Sequence, residues 1–110
     1  MAKRYKLIIN VPVTHADAVR RALGEAGAGR AGHYSHCSFS VRGTGRFKPG
    51  TGANPHIGEV GRIEAVEEEQ IQVDVNEPDM KAVLAALKSA HPYEEIGYEI
   101  YSVLSDADFK

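Results

Sequence analysis

The sequence predicts one mixed α+β domain whose elements run β-α-β-β-α-β, and three observations carry that reading. Apolar residues alternate over three or four short stretches, recur at helical spacing over two others, and the two kinds of segment interleave in that order. In the first stretch Tyr5, Leu7, Ile9 and Val11 alternate with Lys6, Ile8 and Asn10, and Pro12 stops the strand from extending. Thr14 followed by Asp17 gives a start resembling a capping box, and Ala18, Val19, Ala22, Leu23 and Ala26 then recur on one helical face until Gly27. Gly32 to Val41 reads as a two-faced strand, with Cys37, Phe39 and Val41 on one parity and Tyr34, His36, Ser38 and Ser40 on the other. Ile63, Ala65, Ile71, Val73 and Val75 share parity in a long acidic strand, with a bulge expected near Val66. Pro78 suits a first helical position, Met80, Val83, Leu84 and Leu87 supply the stripe, and Pro92 ends the helix near His91. Ile96, Tyr98 and Ile100 form the last strand, and the polar tail from Ser105 to Lys110 is expected to fray.

Right-handed crossovers turn this order into a ferredoxin-like sandwich with both helices on one face of the sheet and a long loop, Gly43 to Gly61, between the second and third strands. The uncovered face is expected to carry Tyr and other sizeable side chains, so self-association is the natural cover. At 110 residues, 43% hydrophobic and 25% charged, the chain is read as a single domain over 1–110 that can bury a core without disulfides or a structural metal. Thirteen basic against fifteen acidic residues, interspersed, argue against nucleic acid and anionic membrane surfaces as partners. One cysteine excludes an internal disulfide framework. Met1-Ala2-Lys3-Arg4 carries no signal-peptide core and no apolar run is long enough for a bilayer, so a cytoplasmic protein is expected.

The glycine-rich loop is no phosphate cradle of known spacing: it holds no G-x-x-x-x-G-K-[ST], and Gly43-Thr44-Gly45 neither follows the first strand nor opens a helix. Arg46 and Lys48, flanking Phe47, could still receive an anionic ligand. No cofactor is demanded by the composition, and the candidate is a divalent metal, Zn²⁺ or Cu²⁺, on His91, Cys37, His33 and His56. On a strand His33 and Cys37 would share a face that His36 would not. Against this stands a plainer reading in which Cys37 is a small buried apolar residue and the histidines are surface or interface groups. A nucleophilic Cys37 is disfavoured, because apolar burial raises a thiol pKa. The run Glu67, Glu68, Glu69 reads as a solvated, edge-protecting face. His91-Pro92-Tyr93-Glu94-Glu95 is the most distinctive string, and Tyr93, Glu94 and Glu95 are candidate ligand-binding residues beside Arg46 and Lys48.

Taken together, Gly32-His33-Tyr34-Ser35-His36-Cys37-Ser38-Phe39, Gly45-Arg46-Phe47-Lys48-Pro49, Gly52-Ala53-Asn54-Pro55, Ile57-Gly58 and His91-Pro92-Tyr93-Glu94-Glu95 resemble the YqfO-type domain. That domain is inserted in some members of the NGG-interacting-factor-like family and also occurs free-standing. The resemblance spans nearly the whole chain and is similar, at the level of the His-Pro-Tyr-Glu string and element order, to the CutA and PII proteins. It implies a CutA/PII-like fold and a homotrimer with ligand sites in clefts between subunits. The two-metal site of the longer relatives belongs to their surrounding domain and does not carry over.

Three other ferredoxin-like classes are demoted: the first strand is followed by no paired cysteines, the third strand bears no aromatic ring for RNA, and no arginine-bearing glycine loop precedes the first helix. The leading expectation is a non-enzymatic oligomeric module binding a divalent metal or small anion at intersubunit clefts. The alternatives are a small metal-dependent hydrolase, with Glu94 or Glu59 as base, and a purely structural or interaction domain.

Overall fold

The computed structural model describes residues 3–110, so the N-terminal reading that rested on Met1 and Ala2 lies partly outside the described residues. The elements are β1 (Arg4–Pro12), α1 (Val13–Glu25), β2 (Phe39–Phe47), β3 (Glu64–Asn76), α2 (Met80–Ala90) and β4 (Tyr98–Val103). Single turns of 3₁₀ helix occupy Glu77–Asp79 and Asp106–Phe109. The strands form one antiparallel sheet in the order β2-β3-β1-β4, the ferredoxin-like arrangement expected from the element order.

Alternation on the central strands builds the core. Leu7, Ile9 and Val11 of β1 and Ile71, Val73 and Val75 of β3 are buried beneath Ala16, Val19 and Leu23 of α1 and Val83 and Leu87 of α2. The face away from the helices is mostly polar on the central strands and carries the expected sizeable side chains on the flanking ones, where Phe39, Val41 and Tyr101 lie exposed in register with Gln72, Gln70 and Lys6. Lys6 pairs with Asp74 at 2.9 Å, and the Gln70 side-chain amide donates to Asn10 Oδ1 at 3.2 Å. Tyr5 and Tyr98 fall on the helix-facing parity, in register with Val75 and Ile9.

The second strand lies further along the chain than its alternation suggested. Residues 32–38 fold as a turn, with Ala31 and Tyr34 bonded to one another through both backbone groups, and the strand begins only at Phe39. The turn is anchored where Gly29 takes φ +80°, its N–H donating to Asp74 O at 2.7 Å and its carbonyl accepting from Cys37 N–H at 3.0 Å. A β-carbon there would overlap the Cys37 backbone. His33 and Cys37 therefore do not share a strand face, and Cys37 is exposed rather than a buried apolar residue. The irregular connection is correspondingly shorter, running from residue 48 to residue 63.

Three smaller expectations are also corrected. The register of β2 on β3 runs unbroken from Phe39↔Gln72 to Phe47↔Glu64, so there is no bulge near Val66. α1 follows buried Pro12 with no side-chain cap, Thr14 Oγ1 being hydrogen-bonded to the neighbouring His15 ring. The tail does not simply fray: Ser105 and Asp108 close a capping box over the last 3₁₀ turn.

β3 outruns β1. From Glu64 to Glu67 its registered partner is β2 alone, so the β2–β3 ribbon projects past the helical layer. The radius of gyration of 15.4 Å reflects that arm, since a compact chain of this length has about 13 Å.

Candidate functional site

Where the arm leaves the body, the end of β2, the 48–63 connection and the segment between α2 and β4 enclose a cleft of about 550 Å³. That size suits a small molecule. The candidate residues Arg46, Lys48, His56, Tyr93, Glu94 and Glu95 all line it. His91 is adjacent, its ring 5.0 Å from that of Tyr93.

α2 delivers His91 as its C-cap, and Pro92 turns the chain so that Tyr93 enters the cleft wall. His91 Nε2 lies 2.7 Å from the Asn10 carbonyl oxygen, and the Tyr93 N–H donates to Nδ1 at 3.1 Å. A carbonyl can only accept, so Nε2 carries the proton and Nδ1 is the acceptor. Burial lowers the His91 pKa below the ordinary histidine value, against the opposing pull of the Asn10 carbonyl and Glu68, and the ring is neutral in the fold. Both nitrogens are engaged, so the ring serves as a brace and presents no free lone pair to a metal.

The Tyr93 ring is the centre of an aromatic group. Phe47 meets it edge-on at 5.9 Å, and His56 stands 6.3 Å away and itself packs edge-on against His15 of α1 at 5.3 Å. The Tyr93 hydroxyl donates to Glu68 Oε2 at 3.1 Å. Burial, with the adjacent Glu68 charge and this hydrogen bond, holds the phenol well above its ordinary pKa, so it remains a proton donor to the carboxylate. Glu68 is buried, and it lies over Gly45, where a β-carbon would collide with the carboxylate. Glu68 is a candidate site residue that sequence reasoning missed. The sequence alone places it among three solvated glutamates, whereas it lines the cleft and is closed over by Tyr93 and Gly45. The signals that could have found it are the smallness of Gly45 and the hydroxyl of Tyr93.

The connection folds back over the cleft by its own bonds. Gly61 N–H donates to Pro49 O at 2.8 Å, and Asn54 N–H donates to Glu94 Oε1 at 2.9 Å. Glu94 is thus a strut for the loop. Glu59 sits 3.7 Å from Arg62 rather than facing the cleft.

The four residues grouped as metal donors are divided between two ends of the sheet. His56 and His91 flank Tyr93, whereas Cys37 is tied through Gly29 to Asp74, about 20 Å along β3 from Glu68. His33 lies in the same turn as Cys37. Among the described residues no three His, Cys, Asp or Glu side chains converge as a metal-binding group. No helix among them is long and apolar enough to cross a membrane.

No family model matches the chain. Curated relatives do: it is 49% identical over 104 residues to the GTP cyclohydrolase 1 type 2 homolog of Halalkalibacterium halodurans, covering 94% of this chain and 28% of that protein. It is 50% identical over 98 residues to the Bacillus subtilis protein of the same name, covering 89% and 26% respectively. The chain therefore spans about a quarter of the length of these relatives. Among solved structures, a Bacillus cereus protein related to NIF3 superposes with TM-score 0.82 at 43% identity, over 96% of this chain and 27% of that one. CutA from Synechococcus elongatus superposes with TM-score 0.69 at 18% identity, over 99% and 85%, a likeness of fold alone. The resemblance carried by the motifs is thus upheld, and the chain is a homologue of the YqfO-type segment of NIF3-related proteins, folded like CutA.

Proposed function

We propose that this chain is a non-enzymatic, homotrimeric binding module of the cytoplasm whose cleft takes a small anion at a boundary between subunits. The observation that carries the reading is the pair Arg46 and Lys48 at the cleft, neither within ion-pair distance of a carboxylate among the described residues. Two unmatched cations at a concave surface concentrate anions there.

Self-association has separate support. The β2–β3 arm is a two-stranded ribbon with no helix over it, and such ribbons are marginal alone. Ile63, 73% exposed at the far end of the arm, and Phe39, 64% exposed on edge strand β2, are large apolar groups that a neighbouring copy would cover. The CutA-like fold is compatible with such packing.

A divalent metal such as Zn²⁺ or Cu²⁺ is the weaker reading, because both His91 nitrogens are engaged and the described residues of one chain supply too few converging donors. The hydrolase alternative has less support, since Glu94 Oε1 is engaged by Asn54 and Glu59 sits beside Arg62 outside the cleft lining. Isothermal titration with inorganic phosphate, and separately with Zn²⁺, tests the assignment. Saturable phosphate binding that weakens at least tenfold in Arg46→Ala/Lys48→Ala is expected. Stoichiometric Zn²⁺ uptake with no phosphate binding would overturn it.

A further inference from the structure

Among the described residues, Glu68 is the only buried charged side chain lining the cleft, and no cationic side chain forms an ion pair with it. Its Oε2 accepts from the Tyr93 hydroxyl, while Oε1 has no hydrogen-bond donor, and no Lys, Arg or His nitrogen lies within 4 Å of either oxygen, among the described residues. The carboxylate is largely buried with Oε1 still accessible, so a positive group or further donors reaching that oxygen would be met by a charge only partly satisfied by the protein. The side chains around it are suited to a particular kind of positive group. Phe47, Tyr93 and His56 line the same cleft with ring centroids 5.9 and 6.3 Å apart, and aromatic faces attract organic cations most strongly where water is excluded. A hydrated metal ion gains little from such rings, whereas an ammonium or guanidinium gains from the rings and from the carboxylate together.

We propose that the Glu68 carboxylate and the Phe47, Tyr93 and His56 rings form a subsite for the cationic end of a small organic ligand. Because Arg46 and Lys48 belong to the same cleft, the ligand class is a zwitterion, with an ammonium or guanidinium at Glu68 and a carboxylate or similar anion at the two basic side chains. This deepens the reading of the cleft as a small-anion site and rests on it. Gly45 is the positioning residue: its missing β-carbon leaves the space the carboxylate occupies.

The test uses the whole chain and three probes in isothermal titration: 4-guanidinobutyrate, which carries both charges, butylguanidine, which carries only the cation, and inorganic phosphate. The zwitterion is expected to bind at least tenfold more tightly than butylguanidine, and Glu68→Gln, which keeps an acceptor for Tyr93, is expected to weaken it at least tenfold. Phe47→Leu is the second variant, expected to weaken it several-fold, and it serves if Glu68→Gln fails to fold. Phosphate binding without any binding of 4-guanidinobutyrate would overturn the zwitterion subsite and leave the anion reading standing. Failure of all three probes would overturn both. Loss of the oligomer in folded Glu68→Gln would overturn the small-molecule assignment by showing that a Lys or Arg of a second copy occupies the subsite.

Discussion

His91 Nε2 donates to the carbonyl of Asn10 at 2.7 Å, joining the end of α2 to β1 across 81 positions of chain. The bond fixes the tautomer, and the tautomer leaves Nδ1 to receive the Tyr93 N–H. The ring thus sets where the chain turns after α2, and with it the place of Tyr93 in the cleft.

Acid is predicted to loosen the fold through this residue. Burial depresses the folded pKa below the unfolded value of about 6.5, so between the two values the unfolded chain binds more protons and stability rises with pH. The contribution is complete above the unfolded value and is lost as pH falls through it toward the depressed one. Melting temperature is expected to fall from pH 7.5 to 5.5. His91→Ala should melt lower at pH 7.5, by the about 0.5–1.5 kcal/mol of a lost hydrogen bond, and should lose part of the acid dependence.

Two glycines of one strand should respond differently. Gly45→Ala puts a β-carbon into the Glu68 carboxylate, whereas the same change at Gly43 meets nothing within 4 Å. Urea denaturation should show Gly45→Ala destabilised by about 1–3 kcal/mol and Gly43→Ala unchanged or slightly more stable. Equal effects would remove the carboxylate from its assigned place.

Arg20 ties three elements together, donating from α1 to Glu69 of β3 at 2.6 Å and to Ser40 of β2 at 3.0 Å. Glu69 is only 14% exposed, so Arg20→Met strands a shielded carboxylate while keeping the apolar stem. A loss of about 1–2 kcal/mol is expected, read as a lower urea midpoint. Arg21, exposed on the same helix, is the control, and Arg21→Met should lie within about 0.5 kcal/mol of the parent.

The parts of the fold legible in the sequence are those where burial imposes a period. β1, β3 and both helices face one core, and Leu7, Ile9, Ile71, Val73, Val83 and Leu87 mark their buried sides. β2 is an edge strand whose Gly43 and Gly45 resemble a loop, while the alternation of residues 32–41 belongs mostly to a turn held by Gly29. No local pattern encodes that anchor, because its partner is the carbonyl of Asp74. The string His91 to Glu95 lies at the cleft, with Tyr93, Glu94 and Glu95 lining it, but the contacts within it depend on distant groups. His91 answers to Asn10, Tyr93 to Glu68 and Glu94 to Asn54, and each is a pairing made only when the chain folds.

The central claim is an oligomer that binds a small anion at its cleft, and native mass spectrometry of the untagged chain with and without inorganic phosphate measures both at once. The account predicts a trimer that carries up to one phosphate per subunit and loses that adduct, but not its mass as a trimer, in Arg46→Ala/Lys48→Ala. A monomer that carries no phosphate across the micromolar range would contradict it.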